Sequence, residues 1–147
     1  MLDHLIGRGL QKEPVLAAEL GRLLARAATR LRDAQSDQIS LESRFDLAYE
    51  ALLQLGLAAL RANGLRPDSR GGHHVLALQT LETTIGYPRQ RLRLLDEFRR
   101  KRAAALYDGA FEPSAAEFDA LLHAAQDLKS HLLAWLRREH PDQLPGS

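Results

Sequence analysis

Between Ser40 and Ala62 the chain carries two apolar stripes at helical spacing. Phe45, Ala48, Leu52, Leu55 and Ala59 form one stripe, and Tyr49, Leu53, Leu57 and Leu60 form the other. A helix that is apolar on most sides has to be wrapped by other elements. No other feature constrains the fold as much. Ser40 supplies an N-cap and Asn63-Gly64 a stop.

The wrapping elements also read as helices. Val and Ile are few, whereas Leu, Ala and Arg dominate, a composition that favours helix over strand. Pro14 suits the first position of a helix whose apolar stripe is Leu16, Leu20, Leu23, Leu24, Ala27 and Leu31, ending near Asp33 to Ser36. His73-His74 opens a shorter helix with Val75, Leu76, Leu78, Leu81 and Ile85 for the core, ended by Gly86. Pro88 suits the first turn of the next helix, which runs to about Tyr107 and is closed by Asp108-Gly109. Ser114 and Glu117 form a capping box for the last helix. Its inner face is Phe118, Leu121, Leu122, Ala125, Leu128, Leu132, Trp135 and Leu136, and Pro141 stops it. Leu2 to Leu10 reads as a further short helix interrupted by two glycines, and Gly64 to Gly72 as a loop. The expectation is an all-α fold: an up-and-down antiparallel four-helix bundle with additional short helices. Residues 1–140 form one domain, and 141–147 form a flexible C-terminal tail.

Composition removes several classes of function. A chain of 147 residues suits one core, and a net charge of +1 gives no global nucleic-acid signal. With no cysteine there are no disulfides, thiolate metal sites or Cys nucleophiles, which fits a reducing cytosol. No apolar run is long enough to span a bilayer and the N-terminus does not resemble a signal peptide, so a cytoplasmic protein without a membrane partner is expected. Adjacent helical histidines such as His73 and His74 point about 100° apart, and His123 and His131 lie two turns apart. No metal and no cofactor is expected. Walker, dinucleotide-binding and nucleophile-elbow motifs are missing.

The helix from Leu92 to Tyr107 carries the candidate site. Leu95, Phe98, Arg102 and Leu106 share one stripe, so a cation lies in the middle of an apolar face. An unpaired buried charge is costly, so Arg102 must snorkel out to solvent, line a cleft, or find a carboxylate such as Glu50 or Asp46 on the central helix. From Arg89 to Arg102 seven basic residues face two acidic ones, a local balance of +5. That suits either a phosphate-binding surface or a solvated face balanced by acids on neighbouring helices.

The segment FRRKRAAALYDGAFEPSAAEFDALLHAAQDLKSHLLAWL, residues 98–136, resembles the C-terminal half of HEPN-domain proteins. The shared pattern is an Arg pair near a helix end, a small-residue stretch, Tyr-Asp-Gly, a Ser-capped start and a long Ala-rich helix. The resemblance implies a helical bundle that dimerises around a cleft. Active HEPN ribonucleases place an Arg and, after a short spacer, a His in that cleft. Here Arg102 is followed by four residues and then Tyr107. A phenol with a pKa near ~10, against ~6.5 for imidazole, is a poor general base at neutral pH.

The expected function is therefore a non-catalytic, homodimeric HEPN-like interaction module. Its cleft residues would be Arg99, Arg102, Tyr107 and Asp108, with Arg102 contacting a phosphate or carboxylate. The resemblance implies partners such as a small nucleotidyltransferase, a toxin–antitoxin component, RNA or a nucleotide. The alternatives are a metal-independent ribonuclease working through Arg102 and Tyr107, and a structural adaptor for an acidic partner. Leu53, Leu57, Leu60, Leu133 and Trp135 also exceed what one bundle axis can bury, which points to a second layer or a partner.

Overall fold

A computed structural model describes residues 2–68, 73–109 and 112–144, without the side chains of His73, His74 and Asp108. The chain is helical. Six α-helices occur among the described residues: α1 (Ala17–Ala34), α2 (Leu41–Ala62), α3 (His73–Gln79), α4 (Leu81–Ile85), α5 (Arg89–Asp108) and α6 (Ala115–Glu139). Two three-residue strands, β1 (Leu10–Lys12) and β2 (Leu65–Pro67), pair antiparallel, with Leu10 opposite Pro67 and Lys12 opposite Leu65.

The central helix is α2, which touches every other helix. Its N-cap forms as expected: Ser40 Oγ accepts the amide of Ser43 at 3.0 Å. Both predicted stripes are largely buried, from Phe45 and Tyr49 to Ala59 and Leu60. Its closest neighbours are α1, then α6. Cross-contacts fix the directions. Arg44 Nε donates to the Ala34 carbonyl, Arg30 to Glu50 and Arg61 to Glu19, so α1 and α2 run antiparallel. Lys101 meets Glu117 and Arg91 meets Asp127, so α5 and α6 are antiparallel as well. Buried alanines on both α2 (Ala48, Ala51, Ala58, Ala59) and α6 (Ala124, Ala125) allow their axes to approach closely. Where α2 crosses α3, Gly56 is required by space: a Cβ there would lie 2.6 Å from the carbonyl oxygen of Ala77.

Four expectations about local structure need correction. Leu2 to Leu10 is not a helix: a 3-10 turn at Asp3–Leu5 leads into β1, and Gly7 and Gly9 at φ 79° and 123° prevent helical continuation. The expected loop after Gly64 contains β2. Pro14 lies before α1, which starts at Ala17, because the Glu13 and Pro14 carbonyls are taken by Arg61 at 3.1 and 2.6 Å. The single helix expected over 73–85 is two helices broken at Thr80, whose hydroxyl bonds back to the Leu76 carbonyl at 2.5 Å.

Part of the surplus apolar surface is covered by the chain itself. Leu60 packs with Leu10 and Leu65 beneath the strand pair. Trp135 lies against His140, with ring centroids 5.3 Å apart. Pro141–Gln143 forms a 3-10 turn and Leu144 packs on the main core; residues 145–147 lie outside the described part. No helix among the described residues is long and apolar enough to cross a membrane.

Candidate functional site

Helix α5 is anchored by Leu95 and Phe98, both buried, with Phe98 edge-on to Phe45 of α2 at 6.4 Å between centroids. One turn further, Arg102 emerges from this interface with 26% of its side chain exposed and places Nε 3.0 Å from Asp46 Oδ1. The stripe ends there. Leu106, expected on the apolar face, is 63% exposed, and Tyr107 is 84% exposed. The helix extends past the point where α2 can cover it, because Asp46, the partner of Arg102, already lies in the second turn of α2.

The basic run is mostly neutralised. Arg99 Nε and Arg100 share Asp96 at 2.9 and 2.8 Å, and Lys101 reaches Glu117 at 3.1 Å. Arg89 pairs with Glu82 and Arg91 with Asp127, both at 3.0 Å. Arg93 alone of the seven has no carboxylate within ion-pair distance among the described residues. The local charge excess seen in the sequence is thus distributed against acids from α2, α4 and α6 as well as from α5 itself.

Of the four expected cleft residues, Arg99 and Arg102 lie near one buried group, the Tyr49 phenol of α2. Burial pushes the pKa of Tyr49 up to about 12, with Arg99 and Arg102 pulling it down and Asp96 pushing it up. Tyr107 lies beyond this group, on the exposed terminal turn. The side chain of Asp108 lies outside the described residues, as do those of His73 and His74. Among the described residues no group of three or more His, Asp or Glu is arranged to hold a metal ion.

A second polar centre escaped the sequence reading. Arg61, in the last turn of α2, is 3% exposed. Its Nε donates to Glu19, Nη1 to the carbonyls of Glu13 (3.1 Å) and Leu65 (3.2 Å), and Nη2 to the carbonyl of Pro14 (2.6 Å). Arg66 of β2 adds bonds to Glu13 and to Glu19, the latter at 2.7 Å. The Arg66 guanidinium first, then that of Arg61, holds the Glu19 carboxyl below its ordinary range. The available signal was Arg61 as the single charged residue in the last three turns of α2, Ala51 to Ala62.

A third centre joins α4, α5 and α6. Tyr87, buried, donates to Asp127 at 2.8 Å, and its ring meets the edge of His131, whose Nε2 lies 2.8 Å from the Ile85 carbonyl. Burial first, then the Asp127 bond, raises the Tyr87 pKa.

No protein-family model, curated protein or solved structure matches the chain. The functional reading therefore rests on the residues themselves.

Proposed function

We propose that the chain is a non-catalytic, HEPN-like interaction module that pairs with a second copy of itself through the C-terminal turn of α5. In this reading α1, α2, α5 and α6 constitute an up-and-down four-helix bundle working in the cytoplasm. The antiparallel directions of α1 with α2 and of α5 with α6 support the bundle, and the lack of cysteine suits the compartment. The observation that carries the contact is the pair of exposed apolar and aromatic side chains, Leu106 and Tyr107, at the end of a helix whose cations are mostly paired. Exposed aromatic and aliphatic groups beside a neutralised rim suit a protein contact better than a phosphate backbone. Arg99 and Arg102 would line the joint, and a nucleotidyltransferase-type or toxin–antitoxin-type protein partner would engage the dimer, with RNA as the alternative occupant that the paired cations favour less.

Light scattering at micromolar concentration tests this. A dimer that becomes a monomer in Leu106→Asp/Tyr107→Asp is expected. A monomeric wild-type protein sinks the proposal. Metal-free RNA cleavage that is lost in Arg102→Ala and kept in Arg93→Ala would instead establish the ribonuclease reading.

A further inference from the structure

Beside the Arg61 network a half-open cleft of about 270 Å³ lies between α1, the end of α2 and β2. Ligand sites begin at roughly 300 Å³, so only a small molecule fits. Arg22 and Arg26 of α1 stand on one side, Arg66 on another and Arg61 beneath. The acids of the cluster are Glu19 in the wall and Glu13, bonded to Arg66. Four guanidinium groups against two carboxylates leave an excess of two positive charges.

The four arginines do different work. Arg61 is consumed by structural bonds, and Arg66 by Glu13 and Glu19. Glu19, which would repel an anion, already accepts from two guanidinium groups. Arg22 and Arg26 are exposed, and among the described residues neither has a carboxylate within ion-pair distance. They lie one helical turn apart, so their side chains reach the same space. Leu23, between them, and Leu57 and Pro67 opposite give the cleft a partly exposed apolar floor.

We infer that this cleft binds a small organic phosphate monoester, with the phosphate on Arg22 and Arg26 and the organic group on Leu23, Leu57 and Pro67. A monoester carries about −1.5 to −2 charges at neutral pH, which matches the excess. Guanidinium groups grip phosphate oxygens in a two-pronged manner that a point charge does not reproduce. The apolar floor distinguishes an ester from free phosphate. No lining residue of the cleft belongs to α5, so this site stands or falls independently of the proposed dimer contact.

Calorimetric titration with phenyl phosphate and with inorganic phosphate tests the inference. Phenyl phosphate should bind saturably, one per chain, and about tenfold tighter than inorganic phosphate, a factor corresponding to ~1.4 kcal/mol. Arg22→Ala/Arg26→Ala should weaken phenyl phosphate by about tenfold or more. Both positions are exposed on a helix, and alanine is compatible with the fold there. Arg93→Ala, which removes an exposed cation of α5, should leave binding unchanged. No saturable binding overturns the inference, as does unaltered binding in the double variant or an equal loss in Arg93→Ala. Equal affinity for the two phosphates overturns the role of the apolar floor.

Discussion

Arg61 and Glu19 are 42 residues apart in sequence, and the Nε of one donates directly to the carboxylate of the other. The bond joins the last turn of α2 to the first turn of α1. Around it the same guanidinium fills three backbone carbonyls, from Glu13, Pro14 and Leu65. The Glu13 and Pro14 carbonyls lie between β1 and α1, outside any helix or strand, so Arg61 is the group that makes the irregular entry into α1 tolerable.

Replacing Arg61 should therefore cost much more than losing an ordinary ion pair. Arg61→Met is expected to destabilise the protein by roughly 3–5 kcal/mol, the range for breaking a buried pair from one side. Urea unfolding measures it. Arg61→Lys should recover only part of the loss, because an ammonium cannot address Glu19 and three separate carbonyls from one planar group.

The Glu19 carboxyl links this centre to pH. Its folded pKa lies below 4.5, so it contributes stability in full above about pH 4.5, and that contribution is lost as pH falls through the depressed value. Glu19→Gln should be less stable at neutral pH and should show a shallower decline into acid. Thermal melts across the acid range, with wild type and variant superimposing at pH 7, would contradict the assignment.

Alkali should reveal the two buried phenols. The raised pKa of Tyr49, about 12, means that folding favours its neutral form. Stability from this source is intact below pH 10 and is lost as pH rises through about 12. Tyr87 shifts in the same direction. Phenolate absorbance from both should thus appear late and together with loss of helical circular dichroism. Tyr87→Phe should remove one of these late phenolates and leave Asp127 bonded to Arg91 alone.

Gly56→Ala tests the α2–α3 crossing. A methyl group 2.6 Å from a backbone oxygen cannot be accommodated by turning a side chain, since the obstacle is the main chain of Ala77. Overpacking of this kind costs about 1–3 kcal/mol, despite the better intrinsic helix propensity of alanine. A stabilised variant in chemical denaturation would show that α3 is free to move away.

Arg102→Ala, by contrast, should change stability by less than about 1 kcal/mol. The Asp46 side chain is 44% exposed and the pair is screened by water. A double-mutant cycle with Asp46→Ala should return a coupling of the same small size. If so, Arg102 is available for another partner at little structural cost.

The legible parts of the fold were those determined by neighbours in sequence. The Ser40 cap, the full length of α2 and the reciprocal Ser114–Glu117 box are local hydrogen-bond patterns written within four residues. The strand pair was not legible, because three residues containing Lys, Arg and Pro have no strand signature of their own and depend on a partner 53 to 57 positions away. The early start expected at Pro14 failed for the same reason: the competitor for its carbonyl is Arg61, invisible to local rules. At the candidate site the periodicity correctly placed Leu95 and Phe98 inward and offered Asp46 as a partner for Arg102, but Arg102, expected in the middle of the apolar face, lies partly exposed at its edge. It then carried Leu106 inward too, since a helical wheel does not register where the neighbouring helix ends.

The strand pair has a consequence for how the molecule assembles. Joining residue 10 to residue 67 would ordinarily require a long, entropically unfavourable closure. Here α1 and α2 form an antiparallel hairpin whose open end already holds both strands together, so the closure is nearly complete once the two helices dock. Residues 10–67 thus form a clasped loop. They would remain joined if the peptide were cut between the two helices, and a nicked chain should migrate as an intact particle until denatured.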